Sequence, residues 1–193
     1  MGISLEFRRK LFHILGGLLW LVPLFYLQKS LLLIFSLFVL ALNLVFVLRL
    51  AENKIKPIYK LIYLFEREKN LEKPAIQALW FNLGVFLSFL FFTKECATVG
   101  IVLTAVGDGF AGLIGYHFGR IRIGQKSLEG FFAFFVSSSL ALWPFVGAFA
   151  LLIAFVGAVV EILPKNIDDN FLLPLVGSAV PFFLNHTYPN LPI

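Results

Sequence analysis

Charge is what this sequence has least of. Only 14% of its 193 residues are charged, 60% are hydrophobic, and the mean hydropathy is +0.91. A soluble domain of this length needs far more polar surface to cover itself. Cysteine is nearly missing too. Cys96 stands alone, which excludes an internal disulfide and a cysteine-cluster zinc site. Asp, Glu, Lys and Arg are absent from 11–27, 30–48, 74–92, 130–160 and 170–193, and 96–118 holds a single acid, Asp108. A bilayer core takes about 20 apolar residues of helix, with about 17 tolerated. Lipid leaves the backbone no other partner, so such runs are helices.

The expected fold is therefore all-α, a polytopic integral membrane protein of one domain, 1–193. About seven transmembrane helices are expected, at 11–27, 30–49, 75–92, 96–118, 130–144, 147–163 and 171–186. Pro144 and Gly147 supply the turn that divides 130–163; one long tilted helix is the alternative. The first run follows Arg8-Arg9-Lys10 as a signal peptide would. No small-x-small cleavage site precedes the next span, so a retained helix is expected. Seven crossings put all but two of the 16 Lys and Arg on one side, leaving Lys29 and Lys94 opposite. The positive-inside rule then places the N-terminus in the cytoplasm. The net charge of +5 does not indicate nucleic acid, because the cations sit between apolar spans. In the polar loop 50–73, Ile58, Leu61, Ile62 and Phe65 recur at helical spacing beside Lys54, Lys56 and Lys60. That pattern predicts an amphipathic helix on the inner leaflet.

Against this background a few polar residues stand out. Asp108 lies inside a span between Gly107 and Gly109, and a carboxylate in a membrane is a functional candidate by default. The neighbouring glycines either pack helices closely or let backbone approach a phosphate or metal. The loop from Gly119 to Gly130 carries Arg120, Arg122, Lys126, Ser127 and Glu129. Cations, backbone N–H groups at a helix start and an acid for magnesium are what a polyphosphate requires. The Walker pattern is absent. Glu6, Arg9, Lys10 and His13 share one helix face; His13 is either functional or a packing residue. Asp168-Asp169-Asn170, after Glu161, reads as a helix cap or as magnesium ligands. Collected at one side of the membrane, these groups suit a nucleoside triphosphate with magnesium, with a second substrate entering from lipid.

Val106-Gly107-Asp108-Gly109-Phe110-Ala111-Gly112, then Gly115 to Gly119, then Lys126-Ser127-Leu128-Glu129-Gly130, resemble the signature of the polyprenol kinase family. That family includes dolichol kinase, phytol kinase and the CTP-dependent diacylglycerol kinase. Glu6-x-x-Arg9-Lys10-x-x-His13 is similar to its N-terminal motif, and Asp169-Asn170 with Pro174 to its C-terminal one. Glu66-Arg67-Glu68 resembles its central acidic motif more weakly. The resemblance implies a kinase that uses CTP and Mg2+ to phosphorylate a lipid alcohol. It implies catalysis by Asp108, Lys126 and Glu129, with His13 or a carboxylate as proton acceptor. Nucleotide contacts are expected from Arg9, Lys10, Gly107, Gly109, Arg120, Lys126, Ser127 and Gly130, and metal contacts from Asp108, Glu129, Asp168 and Asp169. The chain's length is that of a minimal catalytic core, and a prokaryotic cell membrane is the expected location. A phosphatidate cytidylyltransferase is one alternative, although its Lys-Arg-x-x-Lys-Asp segment is missing. A transporter using Asp108 is another, although no inverted repeat is found. A structural scaffold would leave 126–130 unexplained. The resemblance admits phytol, a polyprenol or diacylglycerol as the alcohol, and CTP or another nucleoside triphosphate as the donor.

Overall fold

Thr93, Ser127 and Asp168 each stand just before an apolar run, and each begins a helix. Thr93 Oγ1 accepts the Cys96 N–H at 3.2 Å, Ser127 Oγ the Gly130 N–H at 3.1 Å, and Asp168 Oδ1 the Asn170 N–H at 2.9 Å. Each satisfies a donor that a helix start leaves free. The computed structural model describes residues 5–163 and 166–187. Lys165, one of the cations in the charge asymmetry, lies outside them.

The helices are α1 (Leu5–Leu19), α2 (Leu21–Tyr26), α3 (Lys29–Val47), α4 (Lys56–Tyr63), α5 (Ile76–Phe91), α6 (Lys94–Val102), α7 (Gly109–Phe118), α8 (Leu128–Val146), α9 (Phe149–Ile162) and α10 (Asp169–Thr187). The expected span 11–27 is broken at Trp20. Pro23 has no N–H to give to Leu19, so the ladder cannot run through, and Trp20 N–H bonds back to Gly17 instead. The division of 130–163 is present: Gly147, at φ 53°, ends α8 where other residues are strained. One element departs from all-α. Residues 119–128 hold an antiparallel ladder, β1 (Arg122–Ile123) on β2 (Lys126–Ser127), turning at Gly124 with φ 61°. A glycine-first two-residue turn fits such a hairpin.

Among the described residues, three helices are long and apolar enough to cross a membrane: Lys29–Val47, Lys94–Phe118 and Leu128–Val146. The second combines α6, a π-helical stretch Leu103–Asp108, and α7. It is the central mast, packed by α1, α8 and α10. Contact there is backbone-close. A Cβ on Gly100 would overlap the Pro174 carbonyl, and Gly177 faces the Gly100 Cα, the small-residue packing used where lipid gives helices no hydrophobic drive. Outward, Leu15, Ile34, Phe38, Leu140 and Phe155 are exposed. Lys29 Nζ donates to the Phe92 carbonyl at 2.8 Å and Lys94 Nζ to the Leu27 carbonyl at 3.0 Å. Lys29 and Lys94, the two lysines expected opposite the other cations, thus hold carbonyls just beyond helix ends, where positive charge is favoured.

Candidate active site

Asp108 ends the π-helical stretch, a device that widens one turn and is frequent at functional sites. Its carboxylate is buried and accepts from Lys10 Nζ at 2.6 Å; the same ammonium reaches the Asp108 carbonyl at 3.0 Å. Lys10 lies along α1 and passes α7 at Gly112, where an added Cβ would overlap the Lys10 Cε. His13, one turn on from Lys10, has Nε2 3.5 Å from Asp108 Oδ2 and 3.3 Å from the Thr104 carbonyl.

The hairpin sends Lys126 inward from the opposite side. Its Nζ meets Glu161 at 2.5 Å and Asp169 at 2.6 Å. Burial works against the charge, but Asp108, Glu161 and Asp169 outweigh it and hold Lys126 above the ordinary lysine range. Asp108, Glu161 and Asp169 offer oxygens that all lie within 4.8 Å of one another. Beside this cluster Arg9 is buried, donating to Glu6 at 2.7 Å and to Gln77 at 2.7 Å. Arg67 from the central loop bonds Glu6 at 2.9 and 3.0 Å. Burial opposes ionisation of Glu6, but Arg67 and Arg9 overcome it and hold its carboxyl below the usual range.

These groups line one cavity of about 1310 Å³. From the charged end it continues between α1, α3 and α5 as an apolar groove walled by Trp20, Phe35, Val39 and Phe46. Phe12 and Leu19 line it and are exposed, so the groove opens sideways. The amphipathic helix expected over 55–65 is α4. Ile58, Leu61 and Ile62 of α4, with Phe65 just after it, line the cavity, and Phe65 stacks on Phe12 at 4.9 Å.

An uncharacterized protein of Methanocaldococcus jannaschii is 38% identical over 131 residues, which cover 65% of this chain and 65% of the relative. A protein of Glycine max described as probable phytol kinase 1, chloroplastic, is 33% identical over 205 residues, 92% of this chain and 67% of its own. This chain belongs to the polyprenol kinase family. The CTP-dependent diacylglycerol kinase 1 of Saccharomyces cerevisiae is 28% identical over 131 residues, 52% of this chain and 45% of its own. The chain thus spans between 45% and 67% of the length of these relatives. No protein-family profile matches it. No solved structure matches it.

In this member of the polyprenol kinase family, Arg9, Lys10, His13, Asp108, Lys126, Ser127, Gly130 and Asp169 all line the cavity. Four expected residues lie elsewhere. Glu129 turns back to the loop, accepting the Arg120 and Ile121 N–H groups at 2.9 and 3.3 Å, as acids at helix starts commonly do. Arg120 is exposed and outside the cavity, and Arg122 lines it instead. Gly107 and Gly109 serve packing: a Cβ on Gly107 would strike Ser138 and Phe134 of α8, and on Gly109 Ile14 of α1. Asp168 reaches the cavity wall, but its Oδ1 is engaged as the cap of α10, taking Asn170 Nδ2 as well as its N–H. Ser127 is likewise committed as the cap of α8. Glu161 supplies the third carboxylate. A signal for it exists, since an acid in the last turn of a helix opposes the helix dipole and needs a cation. Gln77 carried no such signal.

Proposed function

We propose that this chain is a membrane kinase that transfers the terminal phosphoryl group of CTP to the hydroxyl of a lipid alcohol, of the polyprenol, phytol-like or diacylglycerol type. The observation that carries this reading is one cavity with three carboxylates and two lysines at one end and an apolar groove at the other. A charged nucleotide and a hydrocarbon-chained alcohol need such a pair of environments in contact. The names of the relatives, a phytol kinase and a CTP-dependent diacylglycerol kinase, support it.

The donor set at the charged end fits magnesium. All of its ligand atoms are carboxylate oxygens, the type this ion takes, and the buried Oε2 of Glu161 has no hydrogen-bond partner among the described residues. Asp108, Glu161 and Asp169 would hold the ion, which when bound neutralises charge on the donor phosphates. The rest falls to the chain. Arg9, Lys10, Arg122 and Lys126 bind phosphate oxygens, Lys126 exchanging its carboxylate partners for them. The lipid hydroxyl oxygen bonds to the terminal phosphorus, the bond from that phosphorus to the bridging oxygen breaks, and CDP leaves. The hydroxyl proton passes to His13 or to a carboxylate of the cluster. A carbonyl can only accept, so His13 Nε2 carries the proton shared with Thr104, which leaves Nδ1 as the atom of this ring able to take one.

We read α1 with α2, α3, α5, the mast, α8, α9 and α10 as seven crossings of a prokaryotic cell membrane; the cation asymmetry then supports an N-terminus and charged end on the cytoplasmic side. Helices α5 and α9, of 16 and 14 residues, rise about 24 and 21 Å, against a hydrocarbon core of about 30 Å. They cross where the bilayer thins around the protein.

The test is a product assay on purified protein in lipid, with Mg2+, CTP or ATP, and phytol, geranylgeraniol, a polyprenol or diacylglycerol. CDP with a phosphorylated lipid is the expected pair of products. Pyrophosphate release would instead identify a cytidylyltransferase, and failure to bind any nucleotide would refute the kinase.

A further inference from the structure

Asn43 of α3 and Asn82 of α5 are amides inside apolar helices, joined to Trp20 by a chain of hydrogen bonds. The Trp20 indole N–H donates to Asn82 Oδ1 at 3.0 Å, and Asn82 Nδ2 donates to Asn43 Oδ1 at 2.5 Å. An indole can only donate, and this sets the direction of the whole chain. Asn82 accepts and passes a donor onward, Asn43 accepts in turn, and the NH2 group of Asn43 is left as the terminal donor. That group has no hydrogen-bond partner among the described residues. Trp20 and Asn82 are buried, whereas Asn43 is half-buried and lines the cavity.

Its surroundings in the groove are apolar: Phe35 and Val39 lie on the same helix and Phe46 one turn away. Its depth follows from α5. Gln77 holds Arg9 at the charged end, and Asn82 is five residues further along, about 7.5 Å at helical rise. The free donor therefore stands just beyond the reacting end, where an acceptor lipid's first carbons would lie. Hydrocarbon there would leave the N–H groups unpaired, which is unfavourable away from water. Tying α3 to α5 does not account for this group, because the Asn82–Asn43 bond already does so without it.

We propose that Asn43 recognises a second oxygen of the acceptor lipid, an ester or ether oxygen a few bonds from the reacting hydroxyl. The groove thereby selects a glycerol-based lipid carrying two chains over a linear isoprenoid alcohol. This inference rests on the kinase reading. A site built to bond a substrate oxygen discriminates strongly against a substrate that lacks it.

The experiment measures kcat/KM for dioleoylglycerol and for geranylgeraniol, in wild type and Asn43→Leu, using the full chain in nanodiscs with Mg2+ and CTP. Wild type is expected to favour the glycerolipid by about tenfold or more, as for one unpaired partner of a buried hydrogen bond. Asn43→Leu is expected to abolish that preference by slowing the glycerolipid reaction alone. The ratio within one preparation is independent of how much protein is folded. Equal use of both alcohols by wild type, or an unchanged ratio in Asn43→Leu, overturns the inference while leaving the kinase standing. No phosphorylation of any lipid alcohol by wild type overturns both.

Discussion

Lys126→Met removes the cation that, among the described residues, bridges two carboxylates of the cluster. Its Nζ lies 2.5 Å from Glu161 and 2.6 Å from Asp169, and its side chain is only 32% exposed. Two unit charges about 4 Å apart interact by about 4 kcal/mol at an effective dielectric near 20. Partial solvent access trims this, so the metal-free variant is expected to lose about 3 kcal/mol of stability, the lower end for an uncompensated buried charge. The same energy reappears in cation binding. A divalent ion entering the wild-type cluster competes with the ammonium, and in Lys126→Met it does not. Affinity for Mn2+ without nucleotide is therefore expected to rise by roughly a hundredfold, since each 1.4 kcal/mol is about tenfold. Thermal unfolding in detergent across a Mn2+ series reads both effects, as a low starting midpoint that climbs steeply with metal. Phosphoryl transfer, lacking a positive group at the reacting phosphate, should fall by about 10²- to 10³-fold. A variant as stable as wild type without metal, and indifferent to millimolar Mn2+, would refute the view that Lys126 occupies a cation site formed by these carboxylates.

Asp108→Asn keeps the shape of the cluster but removes the partner of Lys10, and kcat is expected to drop by about a hundredfold or more; full activity in the product assay would remove Asp108 from the chemistry. Glu6 is held below the ordinary glutamate range by Arg67 and Arg9. A depressed carboxyl contributes stability above its unfolded value and loses it as pH falls through the folded one. Wild type should thus be more stable than Glu6→Gln at neutral pH, and the difference in unfolding midpoint should vanish on acidification below the glutamate range. Gly100→Ala drives a methyl group into the Pro174 carbonyl and Ser178. A loss of about 1–3 kcal/mol is expected for such overpacking, read as a lower unfolding midpoint in detergent at unchanged KM for nucleotide.

Much of the fold was legible because membrane helices declare themselves by the absence of charge, and Thr93, Ser127 and Gly147 mark ends by local chemistry alone. The break at Trp20 was also legible in principle, since Pro23 removes the N–H that would have joined α1 to α2. The π-helical turn at Leu103–Asp108 was not, because it depends on how α1, α8 and α10 pack around the mast. The site divides along the same line. Asp108, Lys10, His13 and Lys126 could be found singly, as charged or imidazole groups in or beside apolar runs. Which acid would meet Lys126 could not be found in the same way. Glu129 is three residues from it in sequence, yet at a helix start its nearest donors are backbone N–H groups, and it takes them. Glu161 is thirty-five residues away and ends a helix whose dipole repels it. An acid in the wrong place for its own helix is the one available to another element. Asn43 and Asn82 obey the same logic. Read only for span length, they are two tolerated amides in apolar runs. In the fold, one donor-only indole orders them into a chain whose last group faces the cavity. Polar residues that local structure does not use are where the tertiary fold places its chemistry.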